Sequence, residues 1–182
     1  MLIENISGNF LIAVPGLDDP NFGHSVILIC EHSKGGAFGI MINKVLMNSI
    51  APLLPSLGIE DKLEVPVLFG GPVKPGQGYV IYTPYNEKYN SIIITEELAM
   101  TASKDILEDI AAGNGPEKFI FALGFAGWGP NQLEEELMMG SWLVTPADPG
   151  VIFSVPVIER WKAAAGLLGI NFDRYCDLSG SA

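Results

Sequence analysis

Apolar residues fall along this chain in two rhythms. Short runs rich in Val and Ile, apolar at nearly every position, predict strands over residues 10–14, 25–31, 37–43, 66–69, 78–83, 91–95, 118–123, 142–145 and 151–153. Three longer stretches repeat apolar residues every three or four positions and predict helices. The first covers 102–112, with Ala102, Ile106, Leu107, Ile110 and Ala111 on one face and Gly113 as its stop. The second covers 130–139, with Pro130 in the first turn and Leu133 and Leu137 one turn apart. The third covers 156–168, with Ile158, Trp161, Ala165 and Leu168 on one face, and Gly169 ends it.

The breaks carry as much information as the runs. Pro15-Gly16 stops the first strand, an acidic loop fills 17–24, and 33–36 is a turn. Gly39 inside a strand predicts a bulge or a close backbone approach. Pro52 and Pro55 restrict 48–57 to a short or broken helix. Strands and helices do not alternate strictly, so an α+β fold is expected rather than a doubly wound sheet. No repeat, low-complexity tract or linker divides the chain, and one domain over 1–182 is expected.

Composition narrows the function classes. Hydrophobic residues make 48% of the 182 residues and charged ones 17%, a globular balance. A chain of this length buries about 70% of the surface it exposes when unfolded. Ten scattered Lys and Arg face 21 Asp and Glu, for a net charge of −11. Phosphate backbones are repelled at long range, which disfavours direct nucleic-acid binding and leaves a protein partner or a small molecule. The opening MLIENISGNF has no basic stretch followed by an apolar one, and no apolar run approaches the ~18 residues of a membrane span. A soluble cytoplasmic protein, away from membranes and monomeric by default, is expected.

Candidate chemistry is sparse. Cys30 and Cys176 do not make a disulfide framework. In Cys30-Glu31-His32, strand alternation places the thiol and the imidazole on one face, ~6.5–7 Å apart, where His32 could activate Cys30 as a nucleophile. The plainer reading is a buried Cys30 acting as a small hydrophobe and a His32 that closes the strand end by hydrogen bonding. His24 and His32 are the two histidines, ~26 Å apart along an extended strand, and no metal-ligand spacing is present. No metal or cofactor is expected.

Glycine-rich segments are the other candidates: Gly35 and Gly36, Gly70 and Gly71, and Gly127 with Trp128. Each could let a backbone approach a ligand, or could simply turn a corner. Gly124-Phe-Ala-Gly127-Trp-Gly129-Pro130 follows a strand and precedes a helix, as an anion site does. Its glycine order is not that of a dinucleotide loop, and Glu134, Glu135 and Glu136 would repel an anion. A tight strand-to-helix turn is expected there.

Several segments together carry a resemblance. They are 10–44 (FLIAVPGLDDPNFGHSVILICEHSKGGAFGIMINK), LFGGPV at 68–73, GFAGWGPNQLEEEL at 124–137, GSWL at 140–143 and ERWKAAAGLLGIN at 159–171. In this combination the chain resembles the AlgH-like family, the YqgE group of small bacterial proteins. The resemblance implies a bifurcated β-sheet, partly closed like a barrel and surrounded by helices. It also brings a transcriptional-regulator label, tied by name to alginate control. With no helix-turn-helix pair and the wrong charge for DNA, an indirect regulatory role fits better.

The leading expectation is a non-enzymatic binding or regulatory protein. The alternative is an enzyme or redox-responsive protein using Cys30 activated by His32, and a nucleic-acid-linked regulator stands third.

Overall fold

The computed structural model describes residues 4–175, so Cys176 lies outside the described residues. The strands are β1 (Asn9–Ala13), β2 (Val26–Ser33), β3 (Gly36–Met41), β4 (Val45–Met47), β5 (Val67–Phe69), β6 (Val73–Thr83), β7 (Ser91–Ile93), β8 (Ala99–Thr101), β9 (Lys118–Trp128) and β10 (Trp142–Pro146). The helices are α1 (Lys104–Ala111), α2 (Gln132–Met138), α3 (Pro149–Phe153) and α4 (Arg160–Gly166), with short 3-10 turns at Ala51–Leu53, Pro55–Leu57 and Val157–Glu159.

The strands form one curled, largely antiparallel sheet with the order β10-β1-β2-β3-β9-β6-β8-β7. The fold is α+β, a half-barrel with helices packed against it. The sheet forks at β9. One edge of β9 pairs with β6 from Lys118 to Phe125. The other edge is shared: β5 runs parallel beside Phe121, Ala122 and Leu123, then β3 runs antiparallel beside Ala126, Gly127 and Trp128. β4 extends the branch through β5.

The near-continuous apolar runs now have a physical reason. Along β1–β3, Phe10, Ile12, Val26, Leu28, Ile40 and Ile42 enter a core closed by Val151 and Ile152 of α3 and by Trp161, Ala164 and Ala165 of α4. Their neighbours Leu11, Ala13, Ile27, Ile29 and Met41 enter a second core with Leu133 of α2 and Trp142. Covered on both faces, the strands carry no polar face to alternate with. Each fully buried aliphatic side chain contributes about 1.5–3 kcal/mol. A third core lies under α1, where Ile106 and Leu107 meet Val80, Tyr82 and Phe121.

Several expectations are corrected. Residues 151–153 are helix, not strand. Asp148 accepts the Val151 N–H at 3.1 Å and Pro149 opens the first turn, and these start signals outweigh the β-branched residues. The segment 124–128 is not a turn, because β9 continues to Trp128 through its pairing with β3. Pro130 lies outside α2, which begins after Asn131 in a left-handed conformation (φ 65°). Ile158 is 88% exposed instead of facing the core. The 3-10 turn at Val157–Glu159 shifts the helical phase, so Arg160 and Trp161 face inward. No helix among the described residues is long and apolar enough to cross a membrane.

Candidate functional site

The Cys30-Glu31-His32 segment lies within β2, but not as simple alternation dictates. Ile29 pairs with Gly39 and Glu31 with Phe38, so Cys30 is the extra residue of a β-bulge. The bulge reverses the facing of the residues beyond it. Cys30 enters the core beneath α3 and α4. His32 turns to the opposite side, where Ile6 and α2 lie. The expected shared face is therefore corrected: the extra residue separates the two groups.

Each group is committed elsewhere. Cys30 is 2% exposed and its thiol donates to the Leu28 carbonyl at 3.6 Å. Burial, and then the charge of Glu31, push the thiol well above the range of a free cysteine. The Ile6 N–H donates to His32 Nδ1 at 3.1 Å, and His32 Nε2 lies 2.7 Å from Glu134 Oε1. Neither ring nitrogen is left to take the Cys30 proton.

The acidic run of α2 serves the fold in detail. Glu134 meets His32. Glu136 accepts the indole N–H groups of both Trp128 and Trp142 at 2.9 Å, while Gln132 donates to its other oxygen. Phe22 lies against both indoles, with ring centroids at 6.4 and 6.1 Å. Trp128 is thus a buried hydrogen-bonded anchor. His24 is remote from His32, stacked on Trp161 at 4.1 Å. Among the described residues no three His, Cys, Asp or Glu side chains gather as a metal site.

The candidate glycines converge on β9 as backbone contacts. Gly70 and Gly71 cross at the fork, where the Met41 N–H donates to the Gly70 carbonyl and the Gly70 N–H donates to Leu123. A Cβ at Gly71 would lie 2.1 Å from the Phe125 carbonyl carbon, and one at Gly36 would lie 2.1 Å from the Trp128 carbonyl oxygen. The close approach that could have served a ligand is used by the chain itself. Gly35 is an exposed turn residue, its N–H donating to Ser33 Oγ at 3.1 Å. Gly127 pairs with Phe38.

A cleft opens elsewhere, between the 3-10 turns, the first half of β6 and the start of α1. It encloses about 320 Å³. Leu53, Leu57, Val80, Leu107, Phe121 and Leu123 give it an apolar interior, and Gln77, Ser103 and Lys104 lie on its polar side. The polar groups are mostly engaged locally. Ser103 caps α1 by accepting the Asp105 N–H, Gln77 donates to Gly78, and Thr101 donates to Asn90. Lys104 pairs with Glu108 at 3.2 Å in an exposed ion pair, a contact weak enough to be exchanged for another anion. No histidine or cysteine lines the cleft. Its arrangement suits holding an apolar group better than breaking a bond.

The AlgH-like family profile matches residues 10–173. The chain belongs to the AlgH-like family. A UPF0301 protein from Cupriavidus metallidurans is 45% identical over 184 residues, covering 98% of this chain and 94% of that protein. One from Methylococcus capsulatus is 41% identical, covering 97% and 96%. The solution structure of the AlgH protein from Pseudomonas aeruginosa matches all of this chain and 97% of its own, with a TM-score of 0.79 and 37% identity. A Corynebacterium diphtheriae protein shares the fold at a TM-score of 0.72 and 24% identity, covering 90% of this chain and 87% of its own.

Membership in the AlgH-like family thus accounts for the α+β half-barrel, but assigns no activity. The AlgH-like segments read from the sequence build the fork and the α2 corner. The cleft was missed because its residues carry no motif. Gly76, Gln77 and Gly78 belong to the polar and glycine-rich stretch of β6, and Ser103 falls inside the helix expected over 102–112, where the structure makes it the cap of α1.

Proposed function

We propose that this AlgH-like protein is a non-enzymatic binding protein with an indirect regulatory role in the cytoplasm. It takes a small, mainly apolar molecule, or apolar side chains of a protein partner, in the cleft beside α1. One observation carries the reading: a cleft of about 320 Å³ has an apolar interior and polar groups mostly engaged by the fold. Such a site gains free energy by removing apolar surface from water and leaves no polar group stranded when empty.

A catalytic reading through Cys30 finds no such support. A thiol raised by burial is not a thiolate, and His32 is spent on Ile6 and Glu134. Contact with nucleic acid is opposed by the net charge of −11.

The test is native mass spectrometry of gently purified protein, wild type beside Leu57→Trp, which fills part of the cleft. Added mass on the wild type and its loss in the variant are expected. Bare wild type, with no thermal shift against a panel of small apolar compounds and no captured polypeptide, would sink the proposal.

A further inference from the structure

Arg160 opens α4 and is 6% exposed, yet it meets no carboxylate among the described residues. Its Nε donates to the Val155 carbonyl at 2.9 Å and its Nη1 to the Ile42 carbonyl at 2.7 Å. Both partners are neutral. A guanidinium has five N–H donors, so these two bonds leave three to be accounted for. Buried cations are ordinarily paired with an anion, because carbonyl dipoles offset only part of the lost hydration. Desolvation pulls the Arg160 pKa down to about 10, which still leaves it charged at neutral pH.

Arg160 also lines a cavity of about 200 Å³. The other side chains of its wall are apolar, including Val65, Leu68, Phe119, Phe121, Phe153 and Val157. One cation without a counter-ion therefore borders an apolar space with three phenylalanines. We propose that this cavity is a second binding site, sharing only Phe121 with the cleft beside α1, and that it takes an aromatic monocarboxylate whose carboxylate meets Arg160.

Size and charge set the ligand class. A cavity of about 150 Å³ accepts benzene, so this one holds a single ring bearing a carboxylate and excludes a nucleotide. One guanidinium matches one negative charge. A phosphate dianion would bring an unpaired charge into an apolar wall at a higher desolvation cost. With Nε–H and one Nη1–H engaged, the N–H groups left on Nη1 and Nη2 are the ones that meet the carboxylate, in charge-assisted hydrogen bonds.

The experiment titrates benzoate and its neutral analogue benzyl alcohol into the full-length protein by calorimetry, with nitrogen-edited NMR on the arginine Nε–H signals. Benzoate is expected to bind at least about tenfold more tightly than benzyl alcohol and to shift the Arg160 signal. Arg160→Met should remove that preference. Should that variant fail to fold, Val157→Phe fills the cavity and keeps the guanidinium, and should weaken benzoate by a similar factor. Leu57→Trp should leave benzoate binding unchanged. Equal affinity for the two compounds, or benzoate binding that survives Val157→Phe, or no saturable binding at millimolar benzoate, overturns the proposal and leaves Arg160 as a clamp between Ile42 and Val155.

Discussion

His32 Nε2 lies 2.7 Å from Glu134 Oε1, tying the end of β2 to the first turn of α2. Because the Ile6 N–H points into Nδ1, that nitrogen holds its lone pair and Nε2 carries the proton. The imidazole is thereby set as a hydrogen-bond donor to a carboxylate. Two residues further along α2, Glu136 gathers the indoles of Trp128 and Trp142. This corner joins five separate segments, the one at Ile6 and β2, α2, β9 and β10, by side-chain hydrogen bonds, and two of the predictions rest on it.

The first concerns acid. The Glu134 carboxyl is held below the usual range by its own backbone N–H and by His32. A depressed carboxyl adds stability above its unfolded pKa of about 4.3. That stability is lost as pH falls through the lower folded value. Urea denaturation of wild type and Glu134→Gln should show the wild-type advantage at neutral pH and its disappearance on the acid side. An advantage that persists at the acid end would remove the electrostatic explanation.

Glu136→Ala should cost about 3 kcal/mol, because it strands two nearly buried indole N–H groups. Glu136→Gln keeps an acceptor and should cost about 1 kcal/mol. Urea midpoints measure both. The Ala variant should also alter tryptophan emission, with Trp161 contributing a constant background.

At the β9 crossings, Gly36→Ala and Gly71→Ala should each cost more than about 4 kcal/mol or prevent folding. Both sit at positive φ, 125° and 151°, with backbone atoms where a methyl group would go. Gly16→Ala, with nothing within 4 Å of the added carbon, should stay within about 0.5 kcal/mol of wild type. Thermal unfolding of the three variants side by side decides this.

Cys30 should resist iodoacetamide in the native protein at pH 8 and react once urea unfolds it. The experiment belongs in a Cys176→Ser background, so that a single thiol is read. Rapid native alkylation of Cys30 would reopen the redox reading.

Regular segments were legible where one local signal decided the outcome. Gly113 and Gly169 do stand in left-handed conformations just past α1 and α4. The Val- and Ile-rich runs of β1, β2 and β3 are strands within two residues of their expected limits. At 151–153 two local signals competed, and the Asp148-Pro149 helix start outweighed three residues that suit a strand.

The candidate site was less legible. Alternation along a strand is a local rule, and it places Cys30 and His32 together. A bulge is decided across the ladder, where Ile29, Cys30 and Glu31 must be fitted opposite Gly39 and Phe38. The same holds for 124–128. Its glycines read as a turn until β3 arrives to pair with it.

By itself, then, the chain's pattern determined that the runs of β1, β2 and β3 become strands, that helices form around α1, α2 and α4, that β2 is covered on both faces, and that the net charge opposes phosphate backbones. Those properties depend on neighbours in sequence or on sums over all residues. Only the tertiary structure decided that β9 forks the sheet, that Cys30 and His32 part company, that the glycines pack on backbone, and that Arg160 is buried beside an apolar cavity. Each of these depends on which distant segment arrives at a given strand edge or helix face, a contact that no local pattern specifies.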